Sequence, residues 1–173
     1  MTALQNNPSN PNPLVATNWR FAIKRTPNLN FTVQRTAIPG VTLDAAFQPN
    51  PFVQIQIPGD HIRFDHLFVT FRVDEDLNNY LEVLAWIFAL GFPNKFDEFK
   101  NIAEKPKYVG ESIYSDLSVT LLSSQRNPNV EFIFKDAWPV GLSEITMSVM
   151  DHDTTYPICT AAFAYTSFSF HRV

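Results

Sequence analysis

Residues 58–93 read PGDHIRFDHLFVTFRVDEDLNNYLEVLAWIFALGFP, and the hydrophobic period changes inside them. Leu67, Val69, Phe71 and Val73 alternate with Phe68, Thr70 and Arg72. That is the two-residue period of a strand with unlike faces. From Leu77 the period becomes helical. Leu77, Tyr80, Leu81, Leu84, Ile87 and Phe88 are predicted to face the core, with Asn78, Asn79 and Glu82 on the opposite side. Asp74, Glu75 and Asp76 stand where carboxylates accept from free backbone N–H groups and favour the helix dipole. Gly91 and Pro93 supply a stop. The spacing predicts one helix over 76–91 in a chain that otherwise reads as strands.

Upstream, residues 1–17 are read as a flexible arm, because 1–13 are rich in Asn and Pro and poor in large apolar groups. Trp19, Phe21 and Ile23 alternate with Arg20 and Ala22, predicting a strand over 18–24. The turn Thr26-Pro27-Asn28 leads to a second strand expected over 29–37. Prolines flank the run from Ile38 to Ile57, which suits a long projecting hairpin over 38–57, since proline belongs at edges and turns. Such a hairpin is a liability unless a partner covers it.

Downstream, residues 92–114 read as an irregular insertion. Strands are expected at 116–123, at 130–135, around Ile145, Met147 and Val149, and over a long final run from Ile158 to Phe170. Trp138-Pro139-Val140-Gly141 reads as a break. The expectation is a single domain over 18–173, mainly β with one inserted α-helix: an antiparallel barrel or sandwich of about eight strands.

Composition narrows the function. Hydrophobic residues make up 45% of the 173 and charged residues 17%, and the sixteen Phe favour sheet packing and protein interfaces. A net charge of −4, with scattered Lys and Arg, argues against a general nucleic-acid binder, which needs clustered cations. One cysteine, Cys159, rules out an internal disulfide framework and suits a reducing compartment. The first residues carry neither a basic nor an apolar signal region, and no apolar run is long enough to span a membrane. Assembly in cytoplasm is the expectation.

No catalytic constellation emerges, and an enzyme ranks last. Asp60, His61, Asp65 and His66 gather two acids and two imidazoles. An odd separation, however, puts His61 and His66 on opposite faces of a continuous strand, so they read as turn and strand-edge residues. Asp151-His152-Asp153 reads as a polar turn, and Cys159 as a buried inert thiol. A phosphate loop, a dinucleotide loop and a nucleophile elbow are all missing, with only five glycines to build one. No cofactor and no metal is expected.

The order of elements resembles a family. NWRFAIK and LNFTVQRTA are followed by IPGV and a hairpin, then PGDHIRFDHLFVTFRVDED and a helix carrying Trp86. SDLSVTLLS, FIFKDAWPVGLSEI and an aromatic C-terminal strand complete it. Over roughly residues 18–170 this resembles the tail tube proteins of contractile-tailed bacteriophages. The resemblance implies a structural virion protein of the phage tail. Six copies would form a ring by joining their sheets into one inner barrel, and the rings would stack into a tube through which DNA passes without specific binding. The partners implied are further copies of the chain and other tail or baseplate proteins, with a sheath as one more candidate. The hairpin would contact the next ring, with Val41, Phe47, Phe52 and Val53 as apolar contacts. The residues facing the lumen are not legible from the period. The long insertion and the long arm also fit a specialised relative, namely a tube initiator, a baseplate hub or a tail terminator. A non-viral binding module ranks behind these.

Overall fold

A computed structural model describes residues 12–91, 96–105, 112–150 and 156–173. The strand predicted from the two-residue period, β5 below, is present, and its partners follow from it. In chain order the elements are β1 (Trp19–Ile23), α1 (Leu29–Thr32), β2 (Val33–Thr36), β3 (Val41–Gln48), β4 (Ile55–Phe64) and β5 (Leu67–Arg72). Then come α2 (Asn78–Gly91), α3 (Phe96–Ala103), β6 (Ser115–Leu122), β7 (Pro128–Leu142), β8 (Ile158–Ala164) and β9 (Ser167–Arg172).

All pairings are antiparallel. One sheet runs β1-β6-β7-β9, and a second runs β7-β8-β5-β2. The fifteen-residue β7 belongs to both. Its first half lies between β6 and β9, and residues from Trp138 onward pair with β8. The inner faces meet in a sandwich core. Phe21, Ile23, Leu117, Val119 and Phe134 come from the first sheet, and Leu67, Val69, Phe71, Cys159, Ala161 and Phe163 from the second. The barrel is open, and β1, β9 and β2 end the sheets.

Helix α2 covers the core with a face one step round from the predicted one. Its buried residues are Asn79, Val83 and Trp86. Leu77, Tyr80 and Ile87 pack against the core and Leu84 is half-buried, whereas Leu81 and Phe88 are each 49% exposed. The reason is Asn79, which the period put on the polar side. Its Nδ2 donates to the Arg72 carbonyl at 2.8 Å and to Thr32 Oγ1 at 2.9 Å. Its Oδ1 accepts from the Asp74 N–H at 3.3 Å. A buried amide with these partners is satisfied, and it ties α2 to the end of β5. The acidic run lies before the helix: Leu77 takes φ 58 and its N–H bonds the Asp74 carbonyl, so Asp74 to Leu77 form a turn. Trp86 stacks 6.2 Å from Phe163, lies under the Arg25 guanidinium at 4.8 Å and donates from Nε1 to the Ile113 carbonyl.

Other expectations are corrected. The second strand starts at Val33, because Leu29–Thr32 form a helical turn continuing from Thr26-Pro27: the Leu29 and Asn30 N–H groups bond the carbonyls of Thr26 and Pro27. Leu29 is buried there, while Phe31 is exposed. The 92–114 insertion contains α3. Trp138-Pro139-Val140-Gly141 continues β7, since a register shift at Pro139 to Gly141 accommodates a residue without an N–H. The run around Ile145 to Val149 forms no strand. The final strand is two, β8 and β9, broken at Tyr165-Thr166, and this break puts Phe168 and Tyr165 both against Phe134. Residues 12–17 are exposed; residues 1–11 of the expected arm lie outside the described residues.

Replacing Asn79 with Ala should strand the Arg72 carbonyl and the Asp74 N–H. The expected loss is about 2–3 kcal/mol of unfolding free energy in a denaturant titration, well beyond that of an exposed substitution in the turn before α2 such as Glu75→Ala.

Candidate functional site

The described surface offers assembly features rather than a reaction centre. The first is the hairpin β3–β4, which pairs with no other strand among the described residues. It runs from Val41 to Phe64, longer than the predicted 38–57, because β4 continues through Gly59-Asp60-His61. A bulge between Leu43 and Ala45 absorbs these residues, and a Cβ on Gly59 would overlap the Asp44 carbonyl oxygen. Only glycine tolerates that approach.

Nearly every hairpin residue is exposed. Of the predicted contact residues, Val41 and Phe47 lie on one face of β3, and Phe52 (96% exposed) and Val53 lie at the tip. The pairing Val41–Phe64 and Leu43–Ile62 puts four apolar side chains on the face of Val41 and Phe47, with Ile55 and Ile57 on the other. The Asp44–Arg63 ion pair, at 2.8 Å, is on that second face. Leu43, Ile55, Ile57, Ile62 and Phe64 were not singled out from sequence; alternation of Ile55 with Ile57 was their visible signal. The base is fixed. The Asp65 N–H bonds the Gly40 carbonyl, Tyr165 Oη donates to the Asp65 carbonyl at 2.9 Å, and Phe64 stacks on Tyr165 and Phe168. Burial, then the Asp65 charge, pushes the Tyr165 hydroxyl up, keeping it a neutral donor.

The second feature is the free face of the first sheet. Arg20, Thr120, Glu131 and His171 form one cross-strand row, and Ala22, Ser118, Ile133 and Ser169 the next. His171 Nε2 is 3.2 Å from Glu131 Oε2. Apart from Ile133, these two rows are made of small, hydroxyl and oppositely charged side chains. The third feature is the pair of open edges, β1 and β9, at the ends of that sheet.

The residues weighed for chemistry fall elsewhere. His61 lies 3.3 Å from Asp60, both well exposed. Among the described residues no group of three or more His, Cys, Asp or Glu is arranged to hold a metal ion; Asp151-His152-Asp153 lie outside them. Cys159 is fully buried, and burial pushes its thiol up against the opposing hydrogen bonds it makes with Ser143, accepting from Oγ and donating to the carbonyl. No described helix is long and apolar enough to cross a membrane.

A sandwich with a polar free face, two open edges and a projecting apolar hairpin defines a subunit built to assemble. Comparison agrees. The phage tail tube protein family matches residues 9–171, and the chain belongs to that family. The tail tube terminator protein of Enterobacteria phage T4 is 28% identical over 144 residues, covering 80% of this chain and 76% of its own. Among solved structures, a chain of the anti-feeding prophage tube-terminating cap superposes with a TM-score of 0.62 at 8% identity, covering 100% of both chains. A chain of the sheath–tube complex of an extracellular contractile injection system gives 0.58 at 9% identity, covering 100% of this chain and 99% of that one. At such identities the structures show a shared fold. The protein is thus a tail-tube-type structural protein.

Gly59→Val should break the hairpin pairing at its bulge while the sandwich keeps its cooperative unfolding. Limited proteolysis is expected to cut β3 or β4 several-fold faster than in the unaltered chain, with the unfolding midpoint unmoved.

Proposed function

We propose that this chain forms a closed ring of the phage tail tube, six copies joined through their first sheets, around a channel through which DNA passes. One observation carries the reading. In the order β1-β6-β7-β9 every neighbour is antiparallel, so β9 runs antiparallel to β1 and a second copy's β1 continues the same alternation beside it. Head-to-tail contact of this kind closes a ring when the rotation allows, and closure removes both open edges.

In this reading the lumen wall is the uncovered face of the first sheet. One face of the first sheet is covered by the second sheet and α2, so the face turned to the channel would carry the row of Arg20, Thr120, Glu131 and His171 and the next row of Ala22, Ser118, Ile133 and Ser169. Mixed charges and hydroxyls make no cationic stripe to hold phosphate. The hairpin, with Val41, Phe47, Phe52 and Val53, reaches the adjacent ring or another tail or baseplate protein. The chain acts in the virion after assembly in the host cytoplasm, by binding rather than by catalysis.

A second reading, a ring that terminates the tube, is favoured by the T4 tube terminator relative and by the full-length superposition on the tube-terminating cap. The two differ in whether rings stack on themselves. Negative-stain electron microscopy with mass determination across concentration decides between them. Stacked hollow tubes identify the repeating subunit, and single rings identify the terminator. A chain monomeric at every concentration would count against both. Deleting residues 42–52 should leave the sandwich folded and the rings intact but abolish stacking; filaments that persist would remove the hairpin from the ring-to-ring contact.

A further inference from the structure

The open edges of the first sheet are complementary in more than direction. The Leu122 N–H donates to the Asn18 carbonyl at 2.9 Å, so Asn18, Arg20 and Ala22 turn their main-chain groups toward β6. By alternation, Trp19, Phe21 and Ile23 turn theirs to the open side. Ile23 is already taken. Its N–H donates to Asn30 Oδ1 at 2.9 Å, and its carbonyl accepts from Asn30 Nδ2 at 3.0 Å. The amide side chain stands where the next strand would stand, so pairing along β1 must stop there.

On β9 the Val173 N–H donates to the Asn129 carbonyl at 3.1 Å, so Val173, His171 and Ser169 face β7. Phe168, Phe170 and Arg172 turn their main-chain groups outward. The register puts Phe21, Val119, Phe132 and Phe170 in one row on the apolar inner face, and Trp19, Leu121, Val130 and Arg172 in the next. The residues with free main-chain groups on both edges are thus those with inward side chains. A pairing of β9 with β1 satisfies hydrogen bonds and apolar face together. A slip of one residue breaks the match, and a slip of two keeps it.

Beside the free part of β1 lies a cleft of about 660 Å³ in which the apolar Trp19, Phe21 and Val33 stand among the polar Arg20, Gln34 and Arg126. At the other end of the sheet Phe170 is on the inner face yet 69% exposed, with Phe132 stacked on it at 6.1 Å among the described residues. We propose that the cleft receives Phe170 from a second copy of this chain. That copy's β9 pairs with Trp19 and Phe21, and Asn30 sets where the pairing ends. The assignment rests on the ring reading above and names the residues of its seam.

The test compares the full chain with its Phe170→Ala variant by native mass spectrometry and electron microscopy across concentration. Rings from the unaltered chain, with the variant needing at least about tenfold more protein to form them at an unchanged unfolding midpoint, is the expected result. Equal ring formation by both overturns the seam and leaves the ring reading standing; no rings from the unaltered chain overturns both. Cysteine pairs on the polar face decide the matter even where Phe170→Ala folds poorly. Ser169→Cys is combined with Ala22→Cys, Arg20→Cys or Asn18→Cys, one for each two-residue step of register. Opposed residues of such a pair have Cα atoms about 4.5 Å apart, within disulfide reach. One combination should link copies covalently on oxidation, and linkage in none of the three overturns the proposal.

Discussion

The rest of the structure hangs on the hydrogen bonding of β7. Along one side it bonds β6, and along the other it bonds β9 and then β8, so one strand turns the corner between the sheets. The corner needs a local device. Asp136 takes a left-handed φ of 55, a conformation an aspartate tolerates, and its N–H bonds Asp116 Oδ1 at 3.1 Å. Phe134 and Ala137 on either side of it are fully buried. The core between the sheets, the place for α2 and the two open edges of the first sheet all follow from that corner.

How far this was legible depended on what each signal measures. Alternation measures burial on one face, and β1, β5 and β6 are half-buried strands, so their residues could be read directly. The same signal misplaced α2 because it counts Asn as polar. Asn79 is inside, where its amide completes backbone groups at the end of β5, and a period cannot report a hydrogen bond. Pro139 read as a stop because proline lacks an N–H, yet a strand bulged there needs none. The helical turn at Leu29 was hidden because LNFT alternates like a strand, while its conformation is set by the preceding Thr26-Pro27 turn.

The assembly surfaces were legible to different degrees for the same reason. An exposed apolar hairpin shows in the sequence as alternating isoleucines between prolines. The open edges do not show, since nothing in a strand's composition tells whether its second neighbour exists. Asn30 is the sharpest case. In the sequence it is a polar residue in an expected strand; in the fold it caps one residue of an otherwise open edge.

These surfaces also bind by different physics. Edge pairing is directional: each hydrogen bond requires register, so in the proposed ring it would specify the geometry and the size at which the ring closes. Its net worth per bond is modest, about 1 kcal/mol, because water already served both groups. The hairpin offers apolar area without register, worth roughly 25 cal/mol for each Å² buried. A contact of that kind tolerates small rotations between the partners it joins. Of its charges, Asp44 and Arg63 already satisfy each other and Asp60 lies exposed beside His61, so the Coulombic attraction left for salt to screen is that of one exposed carboxylate. In the proposed assembly the directional contact would thus set the shape of a ring, and the non-directional one would hold whatever neighbour the ring meets.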